Sequence, residues 1–168
     1  LKLGAAAGLA GVTALGAGIG FAVKQAADAE KVHAALGAVL KSTGQAAGVS
    51  SEMANQLADS LSRVTAFDDE AILGGENLLL TFTKIGKDIF PQATETMLNM
   101  SQALGQDLKS SAIQLGKALQ EPILGMTALR RVGVAFSDAQ IETVKAMMAT
   151  NNLAGAQKLI LAELETEF

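Results

Sequence analysis

The stretch Ser110–Ser137, SSAIQLGKALQEPILGMTALRRVGVAFS, decides how this chain folds. A helical pattern runs from Asp107 through Ile113, Leu115 and Leu119. It must stop before Glu121-Pro122, because proline lacks an N–H and biases its predecessor away from the α region. Ile123-Leu124-Gly125 reads as a short apolar joint. A brief second helix, Met126 to Val132, ends in Arg130-Arg131 over the last carbonyls, with Gly133 at the left-handed cap. Val134-Ala135-Phe136 then leads into Ser137-Asp138-Ala139-Gln140, a capping box that opens a third helix. The expected product is a sharply turned helix-helix-helix corner whose structural residues are Pro122, Gly125, Leu129, Arg130, Arg131, Gly133, Phe136, Ser137 and Gln140. Leu129, Val132, Val134 and Phe136 are its expected core.

Working outward, the remaining chain repeats the same vocabulary of short helices. Of its 168 residues 49% are hydrophobic and only 18% charged, yet aromatics make up 4% and Trp and Tyr are missing. An apolar content of Ala, Leu, Val and Met favours close helix packing, so the expected fold class is all-α: a multi-helix bundle of short helices preceded by a long Ala/Gly-rich hydrophobic helix. Two parts are expected, residues 1–43 as the hydrophobic helix and residues 50–168 as a compact helical domain.

The first part carries 21 uncharged residues, Leu3 to Val23, between Lys2 and Lys24, and 13 of them are Gly or Ala. At about 1.5 Å per residue this length would cross a bilayer core of about 30 Å, although its glycines weaken insertion. Gly4, Gly11 and Gly18 recur every seven residues with Gly8 on the same side, beside a stripe of Leu9, Val12, Leu15, Ile19 and Val23. Small residues beside larger apolar ones let two helices approach closely, in a membrane or in a soluble oligomer, and both readings stay open. The helix continues through Ala26, Ala29, Val32, Leu36, Val39 and Leu40 to stop at Ser42-Thr43-Gly44. His33, beside Ala29, Leu36 and Leu40, reads as packed or half-buried and not as a ligand.

Ser50-Ser51-Glu52 opens a helix with Met53, Leu57, Leu61 and Val64 on its apolar face. Asp68-Asp69-Glu70 caps the next, Ala71 to about Lys84, where Gly74-Gly75 marks a kink or a close neighbour. Phe90-Pro91 starts a helix that turns Met97, Leu98, Met100 and Leu104 inward and closes at Gly105. After the corner come Ala139 to Ala149, with Ile141, Val144, Met147 and Met148 apolar, and Leu153 to Phe168, with Leu159, Ile160, Leu161 and Leu164 apolar.

Chemistry finds little to work with. A net charge of −4 gives no cationic surface for phosphates, so no sequence-specific nucleic-acid binding is expected. Cysteine is absent and histidine occurs once, which removes thiolate sites and most neutral-pH acid-base material. Glu163, Glu165 and Glu167 alternate instead of sharing a helical face. We expect no enzymatic activity, no cofactor and no metal site.

The run LGKAL, a Glu-Pro step, G-M-T-ALRRVGVAFS with Gln140, and farther on AQKLILAELETEF resembles the conserved region of phage and prophage tail tape measure proteins. The resemblance extends over Asp68–Phe168, including LLLTFTKIG, Phe90-Pro91 and MSQALGQDL, and rests on composition over Leu1–Val64. These are packing and capping motifs, so it implies assembly and not a reaction. It implies a homo-oligomeric structural protein of the virion that sets tail length and takes part in genome ejection. The implied partners are other copies of itself, tail tube and tail tip proteins, tail assembly chaperones and the host membrane. The implied places are the tail lumen, the host cytoplasm during assembly and the host membrane on infection. A chain starting at Leu1 and ending mid-helix at Phe168 is then expected to be an internal segment of a longer polypeptide. The rival readings are a membrane-active pore-forming or holin-like protein and a soluble partner-binding module.

Overall fold

A computed structural model of the chain describes the backbone of residues 8–168 and the side chains from Lys24 onward. The described residues form eight α-helices and no strand. In chain order these are α1 (Gly8–Ser42), α2 (Ser51–Ser62), α3 (Asp69–Leu79), α4 (Phe90–Leu104), α5 (Leu108–Gln120), α6 (Pro122–Arg130), α7 (Asp138–Ala149) and α8 (Leu153–Glu167). Among the described residues no helix is long and apolar enough to cross a membrane.

Side-chain caps fix most of the helix starts. Ser50, Asp68, Asp107, Ser137 and Asn152 each accept a main-chain N–H from the first turn of α2, α3, α5, α7 and α8. Each thereby satisfies one of the amide groups that a helix start leaves unpaired. Asp68 is therefore spent on capping α3, with Asp69 and Glu70 in its first turn, and Pro91 sits in the first turn of α4, where its missing N–H costs nothing. Helix ends use the left-handed region: Gly105 closes α4 at φ 61°, and Gly133 follows α6 at φ 105°.

α3 is the hub, packing against α1, α2, α4 and α5, while α8 closes the other end against α4, α6 and α7. One apolar cluster runs from Leu36 and Leu40 of α1 to Leu164 of α8, with Phe90, Met97, Met100, Leu115 and Leu119 at its centre. The loop residues Ala47 and Val49 are buried in it too. At the α3–α4 contact, a β-carbon on Gly75 would lie 2.6 Å from the Met97 sulfur, so of the two readings of Gly74-Gly75 it is close approach that holds.

Several sequence expectations need correction. α3 stops at Leu79 and not near Lys84: Thr81 and Phe82 bond three residues back, and the Thr81 hydroxyl takes the Leu78 carbonyl. α6 starts at Pro122, so the supposed joint Ile123-Leu124-Gly125 is its first turn, because proline at the first position preorganises a helix instead of delaying it. Ile123 and Leu124 point outward as a result. Val132 falls in the turn after α6 and Val64 after the end of α2, and both are exposed, Val64 to 78%. The buried face of α2 is Ala54, Ala58 and Leu61, with Met53 and Leu57 half-buried beside it. His33 is exposed: α1 touches the core along Val32, Leu36, Val39 and Leu40, which leaves His33 on the flank, at a recess lined by Asn55, Asp69 and Glu70.

Candidate functional site

The three-helix corner is built from glycines that other groups occupy. A β-carbon on Gly125 would overlap the backbone of Ala118, so α6 folds back onto α5 backbone against backbone. A β-carbon on Gly116 would meet the ring of Phe82, which the α3–α4 turn lays across α5. Pro122, Leu129, Val134 and Phe136 are buried beneath this arrangement, while Arg130 and Arg131 are exposed and form no ion pair among the described residues.

Polar groups lock the corner in place. The main-chain N–H of Lys84 donates to Gln120 Oε1 at 3.2 Å, and Lys84 Nζ donates to the Gln120 carbonyl at 3.2 Å and to Glu121 Oε1 at 2.6 Å. Beneath them the buried Gln157 of α8 donates its amide to the Lys84 carbonyl and the Leu119 carbonyl, each at 2.9 Å. A single side chain thus ties α8 to the end of α5 and to the α3–α4 turn, satisfying two carbonyls away from water. On the far side, Gln140 Oε1 accepts from the Ser137 N–H at 2.8 Å, and Ser137 Oγ accepts from the Gln140 N–H at 3.3 Å. The Gln140 amide also donates to Glu163 of α8, and Glu167 accepts from the Ala135 N–H at 3.3 Å. Two of the alternating acids of α8, Glu163 and Glu167, are therefore acceptors for the start of α7 and the α6–α7 connection.

A second polar feature lies in the middle of α3. Glu76 is fully buried and Asn77 nearly so. The Asn77 amide donates to the Val32 carbonyl of α1 at 3.0 Å, but Asn77 Oδ1 and both carboxyl oxygens of Glu76 have no hydrogen-bond partner among the described residues. Burial pushes the Glu76 carboxyl up to about 8, and the nearby Thr94 hydroxyl of α4, which donates to the Phe90 carbonyl, pulls the other way. Sequence reading passed over Glu76, Asn77 and Gln157. The available signal for Glu76 was its place inside the apolar run ILGGENLLL, three and four residues from Ile72, Leu73, Leu79 and Leu80.

Among the described residues no three His, Cys, Asp or Glu side chains gather in a way that could hold a metal ion. The proposed packing or membrane face of Gly4, Gly8, Gly11, Gly18, Leu9, Val12, Leu15, Ile19 and Val23 lies outside the residues whose side chains are described. No family model matches the chain, and neither the curated proteins nor the solved structures include a match to it.

Proposed function

We propose that this chain is a structural segment of a phage or prophage tail tape measure protein, a helical node without catalytic chemistry that serves tail assembly, length determination and genome delivery. The observation that carries the reading is the corner α5–α6–α7. The residues that resemble the tape measure family, LGKAL through ALRRVGVAFS and Gln140, are the ones spent on backbone-to-backbone packing, buried turns and reciprocal capping. Such residues shape a surface.

A segment of this kind is a node and not the ruler itself. Fully helical, 168 residues would span about 250 Å, and the eight helices of the described residues, broken by turns, span far less. Its partners in this reading are further copies of itself, tail tube and tail tip proteins and assembly chaperones, in the host cytoplasm and then in the tail lumen. The segment before Lys24 serves as the oligomerisation seam, with Gly4, Gly11 and Gly18 on one side of it.

Sedimentation of the chain, in buffer and with vesicles of phosphatidylethanolamine and phosphatidylglycerol, tests this. A defined homo-oligomer that ignores lipid and is dissolved by Gly11→Leu and Gly18→Leu supports the structural reading. Insertion into vesicles with leakage would favour a pore-forming or holin-like protein instead, and a monomer would remove the self-assembly part of the reading.

A further inference from the structure

The centre of α3 places an ionisable group where no charge can be accommodated. Glu76 is fully buried, both its oxygens lack a partner among the described residues, and Oδ1 of the adjacent Asn77 lacks one as well. One turn away on either side stand Ile72, Leu73, Leu79 and Leu80, all buried. Next to it Gly75 packs so closely on Met97 of α4 that a β-carbon there would lie 2.6 Å from the sulfur.

No neighbouring charge compensates. α1 carries Lys24, Asp28, Glu30, Lys31, His33 and Lys41, all exposed. Glu52, Asp59 and Arg63 at α2, Glu95 of α4, and Lys109 and Lys117 of α5 are exposed too. Within α3, Asp69 is exposed and Glu70 half-buried in the first turn. Where these groups pair, they pair with each other, as Lys31 does with Asp28 and Arg63 with Asp59.

We propose that Glu76 is a proton-operated latch: with its carboxyl neutral, α3 stays seated against α1 and α4, and loss of the proton releases the seam. An ionised carboxylate in this position has neither water nor a counter-charge, and the open seam supplies water. The closed seam holds the proton up to about pH 8, whereas an exposed glutamate gives it up near 4.5. The open fraction therefore rises about tenfold per pH unit between those values and levels off above them. The seam opened in this way would uncover Leu36 and Leu40 of α1 and the Met97 side of α4.

Two measurements on the full chain test the latch. Carbon-13 NMR of the Glu76 side-chain carboxyl should show it titrating well above the ordinary carboxylate range; titration between 4 and 5 overturns the proposal without any variant. Hydrogen–deuterium exchange of α3 and α4 amides, corrected for intrinsic rate, should show protection falling about tenfold per unit from pH 5 to 8 in the wild-type chain. The same exchange should be flat in Glu76→Gln and unchanged from wild type in Glu95→Gln. Equal pH dependence in wild type and Glu76→Gln would also overturn it, and if Glu76→Gln does not fold, the wild-type carboxyl titration decides.

Discussion

Gly125 of α6 lies against the main chain of Ala118 in α5 at a separation that leaves no room for a β-carbon. Neither partner can yield by turning a side chain, because the overlap is with backbone atoms. Gly125→Ala should therefore destabilise the chain by about 1–3 kcal/mol or more, read as a lower urea midpoint. Gly37 on α1 makes the contrast: nothing stands within 4 Å of its β-position. Gly37→Ala should be neutral or stabilising by roughly 0.5–1 kcal/mol, since only the helix preference changes.

Gln157 is the second point at which one side chain holds several helices. Gln157→Leu keeps the volume but strands the Lys84 and Leu119 carbonyls, at a cost of about 1–3 kcal/mol. Gln157→Glu should be worse at neutral pH, because a carboxylate would face two carbonyl oxygens. Its stability should recover on acidification, as the new carboxyl takes up a proton and can donate again. Thermal melts of the two variants from pH 4 to pH 8 separate the two effects.

The reciprocal cap at α7 predicts a smaller loss. Ser137→Ala removes the acceptor for the Gln140 N–H and should cost about 1 kcal/mol, whereas Ser137→Asp should largely retain the helix start. Denaturant titration of both variants checks this. No loss in Ser137→Ala would mean that the Gln140–Glu163 bond, and not the cap, holds the turn.

The buried acid gives stability an inverted pH dependence. The carboxyl of Glu76 is raised in the folded chain from 4.5 to about 8, so the folded state binds the extra proton between those values. Its contribution is fully present below about pH 4.5 and declines as pH rises toward 8, opposite to the usual behaviour of salt-bridged carboxylates. Glu76→Gln should accordingly raise the Tm at pH 8 and change it little at pH 4. A larger gain at pH 4 than at pH 8 would contradict this.

Helix starts could be read in the sequence because their signals are local. Ser50, Asp68, Asp107 and Ser137 announce themselves by residue type, and the glycines at 105 and 133 do the same for helix ends. Tertiary partners could not be read in this way. That Gly75, Gly116 and Gly125 are crowded while Gly74 is not depends on what lies opposite each, and the burial of Glu76 depends on four other helices covering α3. Val132 and Val64 depart from expectation for a related reason: each lies past the cap at which its helix ends, where helical periodicity no longer places a side chain. His33 shows that an apolar neighbourhood along one helix does not bury a residue unless a second element lies over it.

If this chain is part of a phage tail, as proposed, the most direct measurement is to find it in one. Particles induced from cells that encode the chain can be purified on a density gradient and their proteins quantified by peptide mass spectrometry. Peptides of Asp68–Phe168 are expected to co-purify with tail tube subunits in a fixed ratio of several copies per tail. Peptides confined to the soluble or membrane fractions, with none in the tails, would contradict it.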